Sequence, residues 1–377
     1  MSSSLRKGGD GSTPPSSSGA YSLAEIISQP QCWADCLHKL ENENVISEIR
    51  NHFSDFPEWL FIGCGSSYYI ALAAAASWTW ITGKRASAIP ASELLLFPEL
   101  TTRENRNFVP VMISRSGRTS EVLQAAELLK QQEIPGVAIS CASGQKLEQL
   151  AAHTILLPAA DEQSTVMTRS FTSMLLALQY LAASIGQNSD FTKALLALPA
   201  AAEGIMKRLP QQVRNFVDEK RFADYVCLGQ GPYYGLACES ALKLTEMSCS
   251  YAQVFHTLEF RHGPKSIVRP ETLIMFLLSE KNYSVECDVL EEIKNLGGTT
   301  LVVTNRANGR ARAAADFLLE LGFSLPEYAR LAPHVFAGQL MGLYTGLRKG
   351  LDPDRPRHLS RVVELSEASA ESRHAGF

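Results

Sequence analysis

Short, unbroken apolar runs alternate along this chain with longer stretches in which apolar positions recur every three or four residues. "PVMIS", "GVAIS" and "HTILL" occupy one region and "TLIMFLL", "TTLVV" and "DFLLEL" another, interleaved with amphipathic segments such as "TSEVLQAAELLKQQ" and "SVECDVLEEIKNLGG". A strand with one wet face alternates apolar and polar residues, whereas a strand covered on both faces reads as a continuous apolar run. The pattern predicts parallel strands sandwiched between helices: an α/β fold of two tandem doubly wound parallel sheets.

The two regions open alike. "LFIGCGSSYYIALAAAAS" starts at Leu60 and "VCLGQGPYYGLACESALK" at Val226, each an apolar run, a Gly-x-Gly turn and then a helix. An offset of about 166 residues puts Gly63 on Gly229, Gly65 on Gly231, Tyr68 on Tyr234 and Ala71 on Ala237, so the chain is expected to be duplicated. The expected organisation is a disordered Ser/Gly/Pro-rich tail over 1–20 and a leading helical segment over 21–50. A first domain over 51–200, a second over 201–350 and a C-terminal segment over 351–377 complete it.

In such sheets ligands sit beyond the carboxyl ends of the strands, so each strand-to-helix turn is a candidate site. After "PVMI" comes Ser114-Arg115-Ser116-Gly117-Arg118-Thr119-Ser120, with a helix expected from about Glu121. Hydroxyls and free N–H groups at a helix N-terminus make a cradle for a dianion such as a sugar phosphate. Helix capping by Thr119 or Ser120 accounts for one hydroxyl, not for the whole run. Ser66 and Ser67, after the first Gly-x-Gly, can join the same site. A dinucleotide fingerprint would need glycine where Tyr68 and Tyr234 stand, so no nicotinamide or flavin cofactor is expected.

Composition narrows the field. With 377 residues, 45% hydrophobic and 20% charged, the chain can bury a large core, and a net charge of −4 offers no broad basic surface for nucleic acid. The longest apolar stretches, "IALAAAASWTWI" and "SMLLALQYLAASI", fall short of the roughly 20 residues that span a bilayer, and read as buried helices. With no signal-type apolar run in the opening tail either, a cytoplasmic protein without membrane contact is expected. Eight cysteines without a CxxC pair read as reduced thiols, Cys64, Cys227 and Cys238 lying in apolar stretches. Cys32 and Cys36 stand one helical turn apart, but no second ligand pair lies nearby, so no metal is expected.

The remaining chemistry is concentrated in "ESALKLTEMSCSYAQVFHTLEFRHGPKSI". Glu239, Lys243 and Glu246 follow at spacings of four and three, which puts them on one helical face. On an exposed helix this is a salt-bridge ladder; here the helix follows the second Gly-x-Gly turn and so starts at the ligand end of a sheet. His262 sits before Gly263-Pro264, a rigid turn able to present an imidazole for proton transfer near neutral pH.

"IGCGSSYY", "ISRSGRTSEV", "ESALKLTEMS" and "FRHGPKSIV", in this order, resemble the duplicated sugar-isomerase (SIS) domains of the isomerase half of glucosamine-6-phosphate synthase. The resemblance is closer to the tagatose-6-phosphate ketose/aldose isomerases and galactosamine-6-phosphate deaminases, and runs from "SLAEIISQPQCW" to "DRPRHLSRVVEL". It implies that Ser66, Ser67, Ser114, Ser116 and Thr119 bind a 6-phosphate, with Arg115, where the synthase has glutamine, adding a charge-assisted bond. It implies Glu246 as the carrier of a proton between C1 and C2, His262 as ring opener reaching into the neighbouring subunit of a homodimer, and Glu239 and Lys243 as supports. The C-terminal segment would close on the site.

Two departures matter. The synthase heads its chain with a cysteine nucleophile, and this sequence opens Met1-Ser2, so glutamine-derived ammonia is not expected. Where the synthase has an imine-forming lysine, this chain has Arg361, expected at the substrate but always protonated and unable to form that bond. The implied activity is a deaminase/isomerase of 6-phosphorylated amino sugars. The alternatives are a plain ketose/aldose phosphate isomerase and, in another class, a non-catalytic phosphosugar-binding regulator.

Overall fold

Strand β1 (Glu58–Gly63) ends in the first Gly-x-Gly turn and β2 (Arg85–Pro90) lies beside it, followed by β3 (Phe108–Ile113), β4 (Val137–Ser140) and β5 (His153–Leu156). The second set is β6 (Asp224–Gly229), β7 (Ala252–His256), β8 (Thr272–Leu277), β9 (Thr299–Thr304) and β10 (Phe317–Glu320). Every pairing is parallel, and the two sheets have the same order, β2-β1-β3-β4-β5 and β7-β6-β8-β9-β10. In each, the order reverses between the first and third strands, and the crevice opened there is where doubly wound sheets bind ligands. The computed structural model describes residues 17–102 and 107–363; most of the expected 1–20 tail and the end of the 351–377 segment lie outside these residues.

The inner strands are apolar because helices cover both faces: all six residues of β3, β8 and β9 are buried. Two of the edge strands differ. β2 and β7 are half-buried along their length and of mixed composition, which is why no apolar run announces them. Segment 21–50 carries helices Ala20–Ile27, Gln29–Asn42 and the start of Val45–Phe53. The "IALAAAASWTWI" and "SMLLALQYLAASI" stretches lie in helices Ser66–Thr82 and Arg169–Ile185, the second buried over most of its length. No helix among the described residues is long and apolar enough to cross a membrane. Helix Ser189–Glu219 joins the halves, its first turn fixed by the Asn188 side chain accepting from the Phe191 N–H. Residues 200 and 201, where the sequence divides into halves, lie inside this one helix.

The duplication is closest at the two Gly-x-Gly turns. Gly65 has φ 54° and ψ −127°, Gly231 φ 56° and ψ −128°, a region open to glycine and costly for other residues. Both are followed at once by a helix, so each turn presents helix N–H groups at the carboxyl edge of its sheet.

Candidate active site

The turn after β3 carries the hydroxyls that the sequence singles out. Ser114 and Arg115 are buried, Ser116 and Thr119 half-buried, and the chain reverses through Gly117 at φ 63°. Thr119 is the N-cap residue of helix Ser120–Gln131, yet its side chain does not cap the helix. Its Oγ1 lies 2.9 Å from Ser114 Oγ instead, leaving a hydroxyl pair beside the first turn of the helix. Ser66 and Ser67 open helix Ser66–Thr82 at the end of the adjacent strand β1.

Helix Pro232–Ser248 places Glu239, Lys243 and Glu246 on one face, but not on the surface. Glu239 and Lys243 are fully buried, and Glu246 keeps 19% of its side chain exposed. Lys243 Nζ lies 3.2 Å from Glu239 Oε1, 2.5 Å from Glu246 Oε2 and 3.3 Å from Ser66 Oγ. The lysine therefore ties the second half's helix to the first half's Gly-x-Gly turn, and an exposed ladder worth a few tenths of a kcal/mol is ruled out by its burial. Burial alone pushes the Lys243 ammonium toward losing its proton, but the two carboxylates outweigh it and hold its pKa above the usual lysine value. Burial raises Glu239 to about 7 despite the lysine beside it. Glu246, the carboxylate of the pair that reaches open space, lines a cavity of about 230 Å³ together with Cys249, Asp352, Arg355 and Arg357.

A feature that the sequence reading missed makes this geometry possible. Helix Phe336–Arg348 presents Gly338, Gly342 and Gly346 to the Glu239–Glu246 helix, and a Cβ on Gly342 would lie 2.5 Å from the Lys243 carbonyl oxygen. On the opposite side, a Cβ on Gly235 would lie 2.6 Å from the Tyr69 carbonyl of helix Ser66–Thr82. Only hydrogen fits at either contact, so the lysine-bearing helix is clamped between two backbones. The four-residue spacing of "GQLMGLYTG" is the signal that was available.

His262 is exposed, on a loop of short 3₁₀ turns with Gly263 at φ 123°. Arg261 and Lys265 on either side bind Glu292 at 2.7 and 2.5 Å, which fixes the loop. Among the described residues, no hydrogen bond or ion pair joins His262 to the Glu239–Lys243–Glu246 cluster within the chain.

Two of the expected site arginines have partners within the protein itself. Arg115 does not point its guanidinium at a phosphate: Glu162 and three backbone carbonyls surround it, because a buried guanidinium needs a counter-charge and acceptors in its own plane. Arg361 pairs with Asp161, the two charges 2.5 Å apart. Six of the eight cysteines are buried free thiols; Cys64 is half-buried and Cys249 exposed. Among the described residues, no cluster of three His, Cys, Asp or Glu side chains is placed to hold a metal ion.

Comparison with known proteins agrees with this geometry. The SIS domain model matches residues 53–184 and 224–327, one match on each sheet. The chain is 28% identical over 361 residues to a Helicobacter pylori glutamine–fructose-6-phosphate aminotransferase (isomerizing), covering 92% of this chain but only 59% of that protein. It is 28% identical over 393 residues to a Streptomyces coelicolor protein named as a candidate D-galactosamine-6-phosphate deaminase, covering 94% and 96% of the two chains. Among solved structures, a glucosamine-6-phosphate deaminase from Thermotoga maritima superposes with a TM-score of 0.76 at 27% identity, covering 92% of this chain and all of that one. With matches that take in both parallel sheets and both Gly-x-Gly turns, the chain belongs to the SIS domain family.

Proposed function

We propose that the protein converts a hexosamine 6-phosphate to a ketohexose 6-phosphate and ammonia. The observation that carries the reading is the contact between Ser66 and Lys243, which joins the hydroxyl-lined turns of the first half to the paired carboxylates of the second. A substrate anchored by its phosphate at Ser114, Ser116, Thr119 and Ser67 would extend its other end toward Glu246.

The chemistry needs a mobile base, a ring opener and an anchor. Opening of the pyranose exposes the C1 aldehyde. Glu246 then takes the C2 proton and delivers a proton to C1, which leaves an imine at C2, and water releases it as ammonia and the ketone. Lys243, held charged between its two carboxylates, positions Glu246 and stabilises the oxyanion that develops at C1. His262, exposed on its loop, acts as ring opener in the neighbouring copy of a homodimer. Arg361 stands where the imine-forming lysine would and carries no amine for that bond, so the nitrogen that leaves is the substrate's own.

Support for deamination comes from two relatives matched over nearly their whole length, both named for hexosamine 6-phosphate deamination. The test is ammonia release over a panel of hexosamine 6-phosphates, run beside interconversion of tagatose and fructose 6-phosphates. Ammonia from at least one hexosamine phosphate is expected. Interconversion without ammonia would replace the reading with plain isomerisation, and binding without turnover on either panel would replace it with a phosphosugar-binding regulator.

A further inference from the structure

Arg115 lies in the middle of the hydroxyl-rich turn, and its side chain leads away from it. Its backbone carbonyl accepts from Cys141 N at 2.9 Å and Ser140 Oγ at 3.1 Å, which fixes the main chain of the turn. Its guanidinium, only 5% exposed as a residue, donates to Glu162 Oε2 at 3.1 Å, Val166 O at 3.2 Å, Thr165 O at 2.9 Å and Arg361 O at 3.1 Å. The last of these acceptors is 246 residues away in the C-terminal segment.

That segment touches the same turn again. The Val363 carbonyl accepts from Ser120 N at 3.2 Å, the first residue of the helix whose N-terminus the turn builds, and the Arg361 side chain pairs with Asp161 at 2.5 Å. Further back, the Asp354 carboxylate takes Ser22 N and Oγ, each at 2.7 Å, and its carbonyl accepts from Thr165 N at 3.0 Å. Thr165 is thus gripped from both sides, its N–H by the segment and its carbonyl by Arg115. Glu162, which sets the position of the guanidinium, is itself pinned by the Thr168 hydroxyl at 2.8 Å and the Ser170 hydroxyl at 2.5 Å. The guanidinium cannot leave without stranding a buried carboxylate.

We propose that Arg115 is a positioning residue that fastens residues 354–363 to the phosphate-binding turn, so that seating a phosphate and holding those residues in place are one linked event. The inference rests on the phosphate reading of this turn. A phosphate would accept from N–H groups of the helix's first turn and hold the backbone in the conformation to which Arg115 and Val363 bind. By linkage, holding those residues in place then favours phosphate to the same degree that phosphate favours holding them.

The test is limited trypsin digestion of the full chain, following the Arg357–His358 and Arg361–Val362 bonds by mass with and without saturating fructose 6-phosphate. The ligand should slow both cleavages in the wild type. The double variant R115Q/E162Q removes the charged pair together, so no orphan charge is left, and should speed both cleavages roughly tenfold, as expected for loss of one charge-assisted hydrogen bond. It should also abolish the ligand's effect and leave cleavage elsewhere in the chain unchanged. R115K keeps a cation beside Glu162 but lacks the planar fork, and should fall between; it decides the matter if the double variant does not fold. Cleavage at these two bonds as slow as wild type in the folded variants would overturn the proposal. Faster cleavage in the variants with no ligand effect in the wild type would keep the fastener and remove the phosphate seat, and the proposed function with it.

Discussion

The turn after β3 and the turn after β8 are the same place in two copies of one design, yet they meet opposite fates. The same backbone bond leaves both strands, from Ser114 N to Ile139 O at 3.1 Å and from Leu278 N to Val303 O at 3.0 Å. In the first half the following positions are hydroxyls that face each other across the turn. In the second half apolar Leu278 stands where Ser114 does, and the donors beyond it are taken by the protein's own carboxylates. Ser279 N and Oγ donate to Glu286 at 2.7 and 3.1 Å, and Glu280 N donates to Glu327 at 2.7 Å. Ser66 and Ser67 of the first half correspond to Pro232 and Tyr233, and the Tyr233 hydroxyl also binds Glu327, at 3.2 Å. An anion cradle filled by internal carboxylates has no vacancy for a substrate. One copy thus keeps hydroxyls at the ligand end of its sheet, and the other fills that end with carboxylates and contributes the helix that carries Glu239, Lys243 and Glu246.

This contrast can be broken from either side. The largest effect is expected at the open turn: the double substitution S114A/T119A should raise KM for the sugar phosphate about 10- to 100-fold, the value of one or two hydrogen bonds to a charged group. Because the two hydroxyls partner each other, removing both leaves no orphan, and the melting temperature should hardly move. Steady-state kinetics with a melting curve checks both statements; an unchanged KM would deny the turn its phosphate. The mirror-image substitution Ser279→Ala should do the reverse. It strips a donor from buried Glu286 and should cost about 1–3 kcal/mol of stability by denaturant unfolding, with KM unaltered.

The last effect concerns pH. Burial, only partly offset by the bonds from Ser279, raises Glu286 from 4.5 to about 7. Between these values the native state holds a proton that the unfolded chain has lost, so stability present below the lower value falls as pH rises through the window. Glu239, raised to about 7 by burial, acts in the same direction. Glu286→Gln should remove its share, flattening the decline in melting temperature between pH 5 and pH 7.5. An equally steep decline in the variant would contradict the assignment.

Much of this architecture was legible because its physical causes are local. Buried parallel strands such as Thr272–Leu277 and Thr299–Thr304 are continuous apolar runs, and a turn that needs glycine at two positions recurs at a fixed offset. The edge strands beside the first strand of each half, β2 and β7, were not legible: Arg85–Pro90 ends in proline and is half-exposed, so it has no reason to be apolar. At the site, helical spacing was enough to put Glu239, Lys243 and Glu246 together. Their burial was not, since it depends on Gly235 and Gly342 admitting neighbouring backbones from distant parts of the chain. Arg115 misled for the same reason. A cation between two serines reads as a phosphate ligand until Glu162 and the Arg361 carbonyl, 47 and 246 residues away, take its guanidinium.

We propose a division of labour in which the first half grips the phosphate and the second half moves the proton. Exchange of the substrate's C2 proton with solvent, measured by NMR in the Glu246→Gln variant alongside the affinity for a hexose 6-phosphate, tests it most directly. Exchange should fall by roughly a thousandfold, the scale of a lost general base, while affinity stays within a few-fold of wild type. Exchange that persists in the variant, or affinity that collapses with it, would contradict the claim.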